Sequence, residues 1–149
     1  MNVGEICSRI VVVAECSTPV QQAAKLMRDN HIGALVVTEG GDGARRAIGI
    51  VTDRDLVVEV VAADVDYRGL TVGDIMSGKP ETLKENAGVF ETVAQMRRDG
   101  VRRLVVVDAN EHLLGIVAMD DLLPVLAEEL SALAQAIRVE QRREAKRRP

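Results

Sequence analysis

The sequence predicts a mixed α/β (α+β) fold in which one β-α-β-β-α unit is written twice and followed by an extended C-terminal helix. Three observations predict it. The phrase Gly49-Ile50-Val51-Thr52-Asp53-Arg54-Asp55-Leu56 returns as Gly115-Ile116-Val117-Ala118-Met119-Asp120-Asp121-Leu122. Gly4-Glu5-Ile6-Cys7-Ser8 is answered by Gly73-Asp74-Ile75-Met76-Ser77, and at the same offset of 69 Met27-Arg28 falls on Met96-Arg97 and Leu35-Val36 on Leu104-Val105. The offset drops to 66 after the Gly-rich loop of residues 40–46, which is longer than its counterpart, residues 108–112. Third, Ala34–Thr38 and Leu104–Val107 are continuous apolar runs, as strands buried on both faces are. Similarity at a fixed spacing marks a repeated supersecondary unit. One copy of roughly sixty-odd residues buries too little apolar surface to be comfortably stable, whereas two copies packed through their sheets can be.

Each copy is expected to open with a short extended segment, Ile10–Val13 and Glu81–Leu83. A helix follows. In the first copy Thr18 is the expected cap with Pro19 just inside, and Val20, Ala23, Ala24 and Met27 form the inward stripe; in the second the stripe is Val89, Val93 and Met96. Then come the buried strand, a turn marked by Gly or Asp-Ala-Asn, a second strand (Ala47–Val51 and Leu113–Val117) and a closing helix. Residues 62–70 connect the copies. The last helix is capped by Asp120 or Asp121, with Pro124 tolerated in its first turn. Leu122, Leu126, Leu130, Leu133 and Ile137 recur along it at intervals of four and three, a stripe that buries against the module or against a second chain. The expected organisation is repeat one with the linker over residues 1–68, repeat two over 69–130, and a helical basic tail over 131–149.

Composition narrows the function. With 47% apolar and 28% charged residues, one Phe, one Tyr and no Trp, the chain lacks the aromatic platforms on which single-stranded nucleic acid is usually stacked. The net charge of −4 is uneven. Residues 138–149 hold six basic and two acidic groups, leaving −8 on the remainder. No apolar run approaches the ~20 residues of a membrane span, and no secretory signal opens the chain, so a cytoplasmic location is expected. Cys7 and Cys16 read as two reduced thiols. His31 and His112 have no ligand-spaced companions, so no metal is expected.

The doubled unit, closed by Gly-Ile-Val-Thr-Asp-Arg-Asp-Leu in one copy and Gly-Ile-Val-Ala-Met-Asp-Asp-Leu in the other, resembles a tandem pair of CBS domains (named after cystathionine β-synthase), often called a Bateman module. The resemblance runs from about Val3 to Leu130 and leaves no room there for an attached enzyme or transporter domain. It implies two repeats packed about a pseudo-two-fold axis, with clefts that often hold adenosine-containing ligands: AMP, ADP, ATP, S-adenosylmethionine or a dinucleotide such as NAD. It further implies a homodimer of modules that senses such a ligand and passes the signal to a partner. An adenosine nucleotide would then be a regulatory ligand, with no cofactor required.

The resemblance also assigns a site. In the family motif Gly-apolar-x-apolar-Thr/Ser-x-x-Asp the last carboxylate accepts the ribose hydroxyls, which places Asp55 in that role. A carboxylate offers two oxygens to two adjacent O–H donors. Thr52 matches the hydroxyl near the phosphate, Arg54 lies on the same turn, and the helix N-terminus there suits an anion. Thr and Asp at a strand-to-helix corner are also ordinary caps, and the two roles are compatible. The second copy keeps Asp121 but has Ala118 in place of the hydroxyl, which puts a site there in doubt. It has Arg102 and Arg103 where family members often place phosphate-binding groups; a solvated strand entrance explains them equally well. Gly33 and Ala34 are small enough for a purine to lie against the backbone. Ile32, Val12, Val13 and Val101 supply apolar walls, unless they are simply core.

Two other readings compete with the sensor. A structural module with empty clefts would have dimerisation as its main property. An enzyme would need a nucleophile–base pair, metal ligands or a phosphate loop, and the sequence has none of these patterns. The basic tail could touch nucleic acid or an acidic partner by charge alone.

Overall fold

The computed structural model describes residues 1–148; Pro149, the last residue of the expected tail, lies outside the described residues. Each half builds a three-stranded sheet of the same topology. In the first, β1 (Val13–Ala14) runs parallel to β2 (Ala34–Glu39), which pairs antiparallel with β3 (Arg46–Thr52). In the second, β4 (Thr82–Lys84), β5 (Arg103–Val107) and β6 (Leu113–Ala118) repeat that order. Even the register break recurs, at Val37/Thr38 and at Val106/Val107.

Strand alternation divides the core into three layers. Leu35, Val37 and Val51 point at α2 (Val20–Asn30) in the first half, and Leu104, Val106 and Val117 point at α5 (Val89–Asp99) in the second. The intervening Val36, Ala47, Val105 and Val107 meet between the sheets, with Ile50 and Ile116 packed against them. The central strands are therefore buried on both faces, as their unbroken apolar runs predict.

Two short helices exchange places. α1 (Val3–Ile6) opens the first repeat, yet Val3 is buried in the core of the second, with Val3 N and Gly4 N donating to the carbonyls of Ala87 and Glu85. α4 (Val72–Ile75) opens the second repeat and is buried in the core of the first, with Val72 N and Gly73 N donating to Thr18 and Cys16. Burying a Val fully is worth about 1.5–3 kcal/mol, so each repeat stabilises the other. The chain then crosses the edge strand of the opposite sheet: Ser77 bridges to Ile50, and Ser8 to Ile116. This crossing explains the glycine in both Gly-Ile-Val phrases. A Cβ on Gly49 would lie 2.5 Å from Met76 Sδ, and one on Gly115 would lie 2.7 Å from the Ser8 carbonyl oxygen.

Several expectations are corrected. The first strand is Val13–Ala14 rather than Ile10–Val13, and Ile10 is 89% exposed. Ser8 exchanges both backbone bonds with Ile116 of the other repeat, so the residues just after it are spent returning to their own sheet. Thr18 does not cap α2. Its Oγ1 accepts from Glu15 N, while the Val20 N–H at the helix start donates to Leu70 O. Thr92, not Val93, turns inward on α5, its hydroxyl donating to the Gly88 carbonyl one turn back; this local bond removes the cost of burying it. The final helix, α6 (Met119–Arg147), starts one residue before the Asp pair, so Ala118 is its N-cap, Asp121 stands third and Pro124 falls in the second turn. Of the α6 stripe, Leu122 is buried and Leu126 packs against the core, but Leu130, Leu133 and Ile137 are exposed.

Candidate functional site

The first corner is where β3 ends and α3 (Asp53–Asp55) begins, continuing into wider π-type turns over Leu56–Val61. Thr52 is its N-cap, and Asp55 stands third. Asp55 Oδ2 accepts from Thr52 N at 2.7 Å and from Thr52 Oγ1 at 2.9 Å, and Asp55 N donates back to Thr52 Oγ1 at 3.2 Å. This is a reciprocal capping box built with Asp in the usual Glu position. All of the box falls on one carboxylate oxygen. Asp55 Oδ1 accepts no hydrogen bond from the described residues, and the side chain is half-buried. One carboxylate thus caps the helix and presents a second oxygen outward.

The neighbouring backbone is fully occupied. Asp53 N donates to Gly33 O at 3.0 Å, Arg54 N to Asp53 Oδ1 at 2.8 Å, and Asp55 N to Thr52 as above. The helix N-terminus expected to receive an anion therefore has no N–H to offer in its first three positions. Ala34 pairs with Thr52 in the sheet, which brings Gly33 and Ala34 to this corner. A Cβ on Gly33 would lie 3.0 Å from Asp53 Oδ2, so the Asp53 carboxylate stands beside the Gly33 backbone where a purine is expected. The sequence reading overlooked Asp53. The sequence does set Asp53 beside Thr52 in the first phrase and Met119 in its place in the second, but the contact of Asp53 with Gly33 is not written there. Arg54 is exposed and makes no ion pair among the described residues.

The second corner has the same backbone and different chemistry. Ala118 N donates to Asp121 Oδ2 at 2.7 Å, and Met119 N donates to Arg102 O at 2.9 Å, reproducing the Asp53–Gly33 bond. Ala118 has no hydroxyl to return the bond, so the third N–H of α6 lacks the acceptor its counterpart has. Arg102 reaches Asp120 at 3.8 Å, with both side chains about three-quarters exposed. An exposed pair of this kind is worth little, so it does not fix the guanidinium. Arg103 is exposed at the start of β5. Arg102, Arg103 and Asp121 thus gather at this corner, and Thr52, Arg54, Asp55, Gly33 and Ala34 at the other. Val12 and Ile32 pack, half-buried, against the first repeat's core, and Val101 against the second's.

Two open volumes between the repeats lie away from these corners. A 320 Å³ cleft is lined by Arg46, Ala47, Ile48, Lys79, Thr82 and Glu111, among others. Its smaller counterpart, 180 Å³, is lined by Val13, Arg45, Leu113 and Leu114 at the matching positions of the other repeat. Small-molecule sites run from about 300 to 1,000 Å³, so the first is large enough for a small ligand and the second is not. Neither contains Thr52 or Asp55; Ala47 and Thr52 are at opposite ends of β3, about 17 Å apart at the rise of a strand. The cleft holds two basic side chains, Arg46 and Lys79, against Glu39 and Glu111. Lys84 ties Glu111 to the β5–β6 turn, bonding its carboxylate and, at 2.9 Å, the Asp108 carbonyl. That hydrogen bond holds the Glu111 carboxyl below its ordinary range.

The family description CBS domain matches residues 3–62 and 72–128. The uncharacterized protein MK0525 of Methanopyrus kandleri is 38% identical over 125 residues, which cover 84% of this chain and 62% of that protein, so the chain spans less than two thirds of that relative. Hypoxic response protein 1 of Mycobacterium tuberculosis is 35% identical over 129 residues, covering 86% of this chain and 82% of it. A structure of Hypoxic Response Protein I with two coordinated zinc ions matches with a TM-score of 0.70 at 30% identity, over 83% of this chain and 98% of that one. Among the described residues, no group of three or more His, Cys, Asp or Glu side chains is placed to hold a metal ion. The structure of CBSX2 of Arabidopsis thaliana in complex with AMP matches in fold, with a TM-score of 0.71 at 24% identity over 85% of this chain and 96% of that one. No helix among the described residues is long and apolar enough to cross a membrane.

Proposed function

Since this chain belongs to the CBS-domain family, as a tandem pair of its repeats, we propose that it is a regulatory module, not an enzyme, that binds an adenosine-containing ligand between the repeats and alters the activity of a partner. The observation that carries this reading is the divided carboxylate of Asp55: one oxygen holds the helix cap and the other is presented, half-buried, beside Thr52. That is the acceptor a ribose diol needs, and the AMP complex of CBSX2 supports the ligand class. Because the backbone donors at this corner are taken, the corner serves the sugar, and the phosphate charge is met by the exposed guanidinium of Arg54; Arg102 and Arg103 would serve a ligand at the second corner. A ligand that touches both repeats favours one relative arrangement of them, and its differential affinity sets how far the equilibrium moves. The crossing segments at Ser8 and Ser77 carry that displacement from one repeat into the other.

The test is thermal unfolding with AMP, ADP, ATP, NAD and S-adenosylmethionine. A ligand at ~100 times its dissociation constant adds about 2.7 kcal/mol, which raises the midpoint by roughly 5–10 °C for a chain of this size. Asp55→Asn keeps an amide oxygen for the cap and removes the carboxylate, so the ligand shift is expected to vanish while the unliganded midpoint stays near that of the parent. A shift kept in Asp55→Asn and lost in Lys79→Ala would move the site to the 320 Å³ cleft and refute the corner. No shift with any of these ligands would favour the alternative, a ligand-free dimerisation module, which the missing hydroxyl at Ala118 favours.

A further inference from the structure

Helix α6 leaves the body of the protein after Leu126. Every residue from Ala127 to Arg147 is exposed, a projection of about 32 Å at 1.5 Å per residue. The family match ends at residue 128, so the projection lies beyond the matched repeats. In proteins most of a helix's stability comes from packing an amphipathic face. This one has such a face, uncovered: Leu130, Leu133 and Ile137 are 68%, 65% and 56% exposed. They continue a seam that starts earlier. Met119, Leu123, Leu126, Leu130, Leu133 and Ile137 follow one another at intervals of four and three without a break, the spacing of a two-helix coiled coil. Buried Leu122 lies off that seam and Leu126 shares it with the body, so beyond Leu126 the seam is an apolar stripe that nothing among the described residues covers.

The charges on the helix say what covers it. From Met119 to Ile137 the only ionised groups are Asp120, Asp121, Glu128 and Glu129. From Arg138 to Arg147 there are five basic residues and two acidic ones. Two such helices side by side in parallel set like charge against like, whereas antiparallel they set acidic half against basic half at both ends. We propose that two copies of this chain pair through α6 as an antiparallel coiled coil centred between Leu130 and Leu133. Leu130 then faces Leu133 of the second copy, Leu126 faces Ile137, and the acidic first turn at Asp120 comes level with the basic stretch at Arg143. Ala127 lies beside Ala134 of the second copy, and two small residues there let the helices approach closely. This pairing holds whether or not the corners bind a nucleotide.

Sedimentation velocity on the full chain is expected to show a dimer, and Leu130→Asp/Leu133→Asp a monomer. Ser131→Asp/Gln135→Glu, on the opposite face of the helix, is expected to remain dimeric. Orientation is read by spin labels on Arg142→Cys in a chain whose Cys7 and Cys16 are replaced by alanine. Antiparallel helices in this register separate the two labels by about 30 Å or more, and parallel ones hold them within about 20 Å. A monomeric parent, a dimer indifferent to the Leu130/Leu133 change, or a short label separation would each overturn the proposal.

Discussion

Replacing Gly115 with alanine adds one methyl group at the point where the first repeat's leading segment crosses the second repeat's edge strand. The new Cβ would lie 2.7 Å from the Ser8 carbonyl oxygen and 2.8 Å from Cys7 Sγ. Cys7 is buried and Ser8 is tied to Ile116 by two backbone bonds, N to O at 2.9 Å and O from N at 3.0 Å. The nearer atom is backbone, so it cannot swing aside as a side-chain end can. Crowding of this kind costs about 1–3 kcal/mol, and for a chain of this size that lowers the thermal midpoint by roughly 3–10 °C. The control is Gly78→Ala, where a Cβ meets nothing within 4 Å and the change is expected to stay within about 0.5 kcal/mol. Both are measured by circular dichroism during heating and in urea. Hydrogen exchange adds a local readout: the Ser8 and Ile116 amides lose protection in Gly115→Ala before those of β2 do. A Gly115→Ala protein as stable as the parent would show that the crossing is loose and that its glycine has some other cause.

Two more perturbations follow from the same structure. Lys84→Met removes the bond that lowers the Glu111 carboxyl from its ordinary value of 4.5; because a depressed carboxyl stabilises fully above its unfolded value and loses that effect as pH falls through the folded one, the parent is expected to lose stability below about pH 4.5 more steeply than the variant, and parallel acid-unfolding curves would contradict this. Burial pushes the Cys7 thiol up from its ordinary value, so a thiol reagent at neutral pH is expected to modify the half-buried Cys16 well before Cys7; equal rates would refute it.

The parts of the fold that were legible in the sequence are those in which local pattern and global burial agree. Val36 and Val105 sit in unbroken apolar runs because both faces of their strands are covered. The parts that were missed depend on partners far away in the chain. Thr18 reads as a cap from its neighbours alone, but the helix start it precedes is already satisfied by Leu70. The strand expected at Ile10 is shortened by a bridge to a residue more than a hundred positions later. α1 carries a local signature, Asn2 and Glu5 in reciprocal bonds of 3.1 and 2.9 Å, and α4 a matching one at Thr71 and Asp74. Those signatures announce helices but not which core receives them. At the candidate site the pairing of Thr52 with Asp55 was visible in the motif. The Asp53 carboxylate beside Gly33 was not, since that contact joins two loops that only the sheet brings together.

The exchange of α1 and α4 has a topological consequence. Each sheet-and-helix unit is completed by the opening helix of the other, so neither unit owns a whole core. Two separate chains of one unit each, trading their first helices, would give the same arrangement as a domain-swapped dimer. Here residues 62–71 tether the two units, and what would be an encounter between molecules becomes a folding event within one, at the high effective concentration a short linker imposes. The module is therefore a swapped dimer closed into a single chain. Its two halves differ in sequence, which frees one corner to keep the Thr52 hydroxyl beside Gly33 and Ala34 while the other has Ala118 beside Arg102 and Arg103.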